Sequence, residues 1–240
     1  MNVSRRRVRA MVIKELREYR RNRSLLWAMA IFPVVFCIQP LVVVFTLASS
    51  ASTELAHEHL LLYLLGIPAL VPVFVAAYAV VGEREQATLE PMLSTPIRSD
   101  EFLLGKALAA LIPSLAIAYA VYAIFLILVA AFGRPAVASA LFQAPDLLAQ
   151  VVFTPLLATW SIWVGIAISA RSSDIRVAQQ LGVVASLPSI FVVVLVAFNV
   201  IQPTLGLAVG GAVFLLVLDA LGWRIASRMF DRERLVTGTR

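Results

Sequence analysis

Few residues in this sequence could do chemistry, and most of them cluster. The segment from Gly82 to Pro96, GEREQATLEPMLSTP, crowds charges and helix-start residues between two long apolar runs. A second group, His57-Glu58-His59, contains both histidines of the chain. Neighbours at i and i+2 point to different helix faces, and a catalytic zinc site needs three converging ligands, so this group reads as a solvated loop, with no metal. No histidine lies in an apolar run to activate a serine. There is also no pair of aspartates within such a run, no His-Glu-x-x-His and no Gly-rich phosphate loop of the Walker A type. The sequence therefore predicts no catalytic residue and no cofactor site, and any use of ATP falls to another chain.

The elements that hold these residues are dictated by composition. The 240 residues are 61% hydrophobic and 14% charged, with mean hydropathy +0.91. Soluble domains carry about 25% charge, so a water-soluble fold could not hide this much apolar surface. Apolar runs of about 20 residues point to membrane-spanning helices, and the short alternating segments of a barrel are absent. The expected fold is an all-α integral membrane protein with six spans, at about 25–48, 60–81, 106–131, 147–170, 179–200 and 205–223, in a single domain covering residues 1–240. Prolines interrupt several spans, where each removes a backbone hydrogen bond and favours a kink. The basic N-terminus and the long first run argue against a cleaved leader. The single cysteine, Cys37, excludes an intrachain disulfide.

Ahead of the first span, residues 3–21 read as an amphipathic interfacial helix. Val8, Val12, Leu16 and Tyr19 form one stripe at helical spacing, surrounded by Arg5, Arg6, Arg9, Lys14, Arg17, Arg20 and Arg21. Such a helix lies in the headgroup layer, its stripe toward the acyl region and its cations near anionic lipid. With the N-terminus in the cytosol, nineteen of the 20 Lys and Arg face the cytosol and only Arg134 lies outside. That split places both termini in the cytosol. It also explains the formal charge of +6 through topology, without nucleic acid.

Inside the spans, Asp219 is the one acidic residue. It either pairs locally with Arg224 and Arg228 near the cytosolic end or belongs to a conduction pathway. Gln39 and Asn199 are polar groups toward the outer half, open to a pathway or to helix capping. The small pairs Gly165/Ser169, Gly182/Ser186 and Gly206/Gly210 suit helix packing within one subunit, with a contact between subunits as the alternative. Trp27, Trp160, Trp163 and Trp223 suit anchoring at the membrane interface.

The 82–105 segment is expected on the cytosolic face. Gly82 is expected to end the second span, leaving Glu83, Arg84 and Glu85 facing water. Pro91 suits the first turn of a short helix, and Ser99-Asp100-Glu101 suits the start of the third span. Leu89, Met92 and Leu93 would sit poorly in water and well in a partner's groove. This segment, with Glu101-Phe-Leu-Leu-Gly-Lys106, resembles the membrane-domain signature of ABC-2 type transporter permeases.

That resemblance implies a six-span exporter subunit of a bacterial or archaeal cell membrane. It implies a coupling helix after the second span that contacts separate ABC ATPase subunits, two in number, which carry ATP and Mg. The interfacial helix would lie against the same ATPase. A second permease copy or paralogue would face this one across the pathway. Carried over, the ATPase contacts are Glu83, Arg84, Glu85, Thr88, Leu89 and Glu90, with Gly82, Met92 and Leu93 in the same segment. Two features depart from the family pattern: Ala87 stands where relatives often have Gly, and the link between the fifth and sixth spans is very short. A haem or cytochrome-maturation permease and a membrane scaffold are the alternative readings.

Overall fold

The computed structural model describes residues 4–46, 59–85 and 97–229. Helix α1 (Arg5–Arg21) is followed by α2 (Arg23–Thr46), and a 3₁₀ stretch, Leu60–Leu65, runs into α3 (Gly66–Glu85). Then come the long α4 (Ser99–Phe132), the short α5 (Pro135–Leu141), α6 (Ala144–Arg171), α7 (Ile175–Ala197) and α8 (Leu205–Met229). Among the described residues there is no strand. Six helices, α2, α3 with its 3₁₀ lead-in, α4, α6, α7 and α8, are long and apolar enough to cross a membrane. They correspond in order to the six expected spans.

One boundary of the 82–105 segment differs from the sequence reading and the other agrees with it. Gly82 does not end α3, which continues to Glu85. Its neighbours supply enough side-chain contact to keep the helix going, and a glycine weakens a helix without stopping it. At the other end of the loop, α4 begins at Ser99, with Glu101 reaching back to the Arg98 backbone to cap the first turn. The spans also run through Pro33, Pro40, Pro72, Pro113, Pro155 and Pro188 without leaving helical structure.

Helix α3 is the axis of the bundle. Its span is 94% buried, against 44% or less for the other five. It packs on α2, α4, α6 and α7, most extensively on α6. Small residues make that approach possible. A Cβ on Gly165 would come within 2.6 Å of Ala76 Cβ, and one on Gly182 would strike Val73. Two serines of α6 bind the α3 backbone directly: Ser161 donates to Ala69 O at 2.6 Å and Ser169 to Ala77 O at 2.6 Å. Ser169 also accepts from the Val80 and Val81 amides. The pairs Gly165/Ser169 and Gly182/Ser186 thus serve packing within the subunit. Gly210 has open space around it.

The end of the bundle away from α1 holds a second correction. His59, expected in a solvated loop, is only 17% exposed at its side chain, and its Nδ1 lies 2.8 Å from Asp146 Oδ1. Asp146, at the start of α6, is buried beneath it. His57 and Glu58 lie outside the described residues. Of the tryptophans, Trp27 is 66% exposed, whereas Trp163 is buried edge-on against Trp223 with ring centroids 5.5 Å apart. Trp163 is a packing residue, not an interfacial anchor.

Candidate functional site

The site is built where α1, the end of α3 and the start of α4 meet. Helix α1 presents Val8, Met11, Val12, Glu15 and Tyr19 on its buried face. The stripe expected to enter lipid is therefore largely covered by protein, chiefly by α4; Leu16 is half-buried at its edge. Val8, Val12 and Tyr19 are each 9% exposed or less. The physical reason is the glutamate within the stripe: a buried carboxylate needs a protein partner, which lipid cannot offer.

Three residues of α4 receive this helix. Glu101 accepts a hydrogen bond from the Ser4 amide at 2.8 Å and one from Arg7 Nη1 at 3.1 Å, holding the first turn of α1. Gly105 lies under Met11, where a Cβ would come within 2.5 Å of Met11 Cγ. Lys106 Nζ lies 2.8 Å from Glu15 Oε1. These are positions 3, 7 and 8 of the α4 helix, so they rise along one side of it over two turns.

Glu83 closes the arrangement from α3. Its Oε1 accepts from Lys106 Nζ at 2.6 Å and from Lys14 Nζ at 2.7 Å. The sequence placed Glu83 in water; it is 3% exposed. One extra turn of α3 carries it under α1, where two ammonium groups offset its loss of hydration. Lys14 also lies 3.5 Å from Glu15 Oε1 and 3.2 Å from Glu18 Oε1. Oxygens of Glu15, Glu18 and Glu83 come within 4.8 Å of one another, a spacing a metal ion could use. Lys14 Nζ lies within reach of all three and already serves as their shared cation.

The protonation states follow from burial and neighbours. Burial pushes the Glu15 carboxyl up, against the opposing pull of Lys106 and Lys14. Burial alone would lower the Lys14 ammonium. The hydrogen bond and charge of Glu83, with Glu15 and Glu18, outweigh it and hold Lys14 above its ordinary value. The Tyr19 phenol is pushed well up by burial and then by Glu15 and Glu18, so it stays neutral.

Glu85, one turn end beyond, binds elsewhere. Its Oε1 accepts from the Ile175 amide at 3.1 Å, at the start of α7. Asp174 caps the same helix through the Arg176 and Val177 amides. Both flanks of the segment 86–96 are thus fastened: one through Glu83 and Glu85 to α1, α4 and α7, the other through Glu101 to α1. Thr88, Leu89, Glu90, Met92 and Leu93 lie outside the described residues, as does the side chain of Arg84.

A model of the ABC-2 family transporter proteins matches residues 9–221. The chain belongs to the ABC-2 transporter family. It is a multi-pass membrane permease component of an ABC transporter, a class that associates with ABC ATPase subunits. No curated protein sequence matches the chain. The family match begins within α1 and ends within α8, so it takes in most of both and everything between them.

The three polar pathway candidates are not brought together. Asn199 has φ 55° and ends α7 in a left-handed residue, with Val200 N returning to Leu195 O at 2.9 Å and Asn199 N to Val196 O at 3.0 Å. That is a Schellman stop, for which asparagine is suited. Gln39 sits on α2, which packs chiefly on α3, and Asp219 on α8, which packs chiefly on α6. Asp219 lies ten residues before the end of α8, which runs on past Trp223 to Met229. Among the described residues its Oδ1 has no hydrogen-bonding partner, and no ion pair joins it to Arg224 or Arg228.

The sequence reading missed Lys14, Glu15, Glu101, Gly105 and Lys106 as site residues. One signal was available: a lone glutamate within the apolar stripe of a basic helix, and a lone lysine just inside an apolar run. Buried charges of opposite sign are each other's expected partners.

Proposed function

We propose that this permease forms the translocation pathway of an ABC exporter and is driven by separate ATP-binding subunits that dock on segment 82–96 and on α1. The reading rests on one observation above all: the Lys14–Glu83–Lys106–Glu15 cluster, with Glu101, ties both flanks of residues 86–96 to α1 and to the axial helix. A push on that segment would therefore be delivered to rigid elements and shared between α1, α3, α4 and α7. Nucleotide held by the partner would bias a two-state membrane domain through this connection.

In this reading two ATPase subunits carry ATP and Mg, and this chain carries neither. A second permease copy or paralogue faces the first across the pathway. The basic end, with α1 and both termini, is cytosolic, and the protein sits in a bacterial or archaeal cell membrane. The charge split of nineteen to one supports that orientation. The proposed ATPase contacts are Gly82, Glu83, Arg84, Glu85, Thr88, Leu89, Glu90, Met92 and Leu93. Glu83 would act from beneath, holding the segment, since its carboxylate is taken up by Lys14 and Lys106.

The test is purification of the permease with its native ATPase, followed by measurement of ATP hydrolysis with and without the permease in lipid. The expected result is a stable complex whose hydrolysis rate depends on the permease. An ATPase that neither binds nor responds would leave a membrane scaffold as the better reading.

A further inference from the structure

Helices α7 and α8 follow one another in sequence through a short link, yet they scarcely touch; α8 packs chiefly on α6, and α7 on α3 and α6. Between them a cavity of about 490 Å³ is left open. Its floor is the α6 stripe Ala149, Phe153, Leu157 and Trp160, and small residues on the walls, Ala185, Ala208 and Gly211, keep it clear. Ser189 and the Trp160 indole supply the only polar side-chain groups in the lining. Ile201 and Pro203 place one end of it at the link, away from α1.

We propose that this slot binds one acyl chain of a membrane phospholipid from the leaflet away from α1. Size decides between occupants. The floor from Ala149 to Trp160 rises about 16 Å at 1.5 Å per residue. One leaflet contributes about 15 Å of hydrocarbon, half of a core of about 30 Å. A helix from a second copy, at least about 10 Å across, would need more than about 1,200 Å³ over that length. The slot has less than half of that and lies within the range of small-ligand sites. Ordered water needs two to four polar partners, which the lining does not offer. A single alkyl chain matches the length, the volume and the chemistry.

The bound chain acts as a spacer. It fills the gap that would otherwise leave the floor without contacts on one side, and it keeps α7 and α8 apart while both stay seated on α6. Leu157 and Leu215 are 5% and 9% exposed, so a free-moving lipid would reach them little. A chain seated in the slot lies against both.

The experiment reconstitutes the full-length permease in phosphatidylcholine vesicles holding a trace of phosphatidylcholine with a diazirine midway along one acyl chain. After irradiation, mass spectrometry maps the adducts. Labelling of Leu157, Leu215 and Trp160 is expected to exceed, several-fold relative to exposure, that of Val34, Val35 and Ile38 on the open face of α2. In Gly211→Trp, which fills the slot, labelling there falls to the α2 level while α2 labelling is unchanged. Ala208→Leu, a smaller filler, gives the same loss in part and serves if the first variant does not yield monodisperse protein. Labelling that follows exposure alone, slot labelling unchanged by both fillers, or cross-links showing a second copy's helix in the slot would each overturn the proposal. None of these readouts uses ATPase activity or transport, so they stand apart from the fate of the proposed coupling.

Discussion

Lys106 stands between two carboxylates, at 2.6 Å from Glu83 and 2.8 Å from Glu15, and is 2% exposed. Removing one partner of a buried ion pair costs about 3–5 kcal/mol, because the remaining charge keeps no compensation. Lys106→Met is therefore expected to lower the thermal midpoint of the solubilised permease sharply. The double variant with Glu15→Gln should recover part of the loss, as a thermal-melting series would show. The raised Glu15 carboxyl gives a second expectation. Between its ordinary value and its folded value, the folded state holds a proton that the unfolded chain has released. Stability from this group is thus present at the acid side and lost as pH rises through that window. Protection factors of the α1 amides, with the intrinsic pH dependence of exchange divided out, should fall as pH rises through that window, and Glu15→Gln should flatten the fall. These charges show why the residue scale was only half legible. The sequence displays that Glu15 and Lys106 sit in apolar company, but their meeting requires α1 to cross α4 at Gly105, a pairing some 90 residues apart in the chain.

At the scale of elements, α1 was legible as a helix and as amphipathic, but not for what its apolar face would meet. A stripe of Val8, Val12, Leu16 and Tyr19 has the same period whether it enters lipid or packs on protein. The side of α4 that receives it settles the matter through Glu101, Gly105 and Lys106. Glu101→Ala removes the acceptor of the Ser4 amide and of Arg7, and with it the cap on α4 itself. Hydrogen exchange is expected to rise in residues 4–12 and at the start of α4, and to stay unchanged in α6 and α7. An unchanged exchange rate in residues 4–12 would mean that Gly105 and Lys106 hold α1 without the clamp. The axial role of α3 was harder to read. Its run is no more apolar than that of α2, and its burial is made possible by glycines and serines on α6 and α7.

At the scale of the whole molecule, the number of spans was legible because lipid demands about 20 apolar residues for each crossing. Helix α8 illustrates the limit: it runs to Met229, past the apolar run, and the charged residues after Trp223 did not stop it. The coupling proposal makes a demand on the molecule as a unit. Leu89 lies between flanks fixed by Glu83 and Glu101, and an apolar side chain there suits a partner's groove better than water. Leu89→Asp is expected to leave insertion and melting temperature unchanged, since the anchors on both flanks remain. It should lower permease-stimulated ATP hydrolysis roughly tenfold, the effect of about 1.4 kcal/mol lost at the docking step. Lys106→Met should also weaken stimulation, but together with melting temperature, because it acts on the frame that holds the segment. The two variants thus separate docking from transmission: loss of stimulation at constant stability belongs to the contact, and loss of both belongs to the frame. Equal stimulation in Leu89→Asp and the unaltered permease would move the ATPase contact off this segment and onto the exposed basic face of α1.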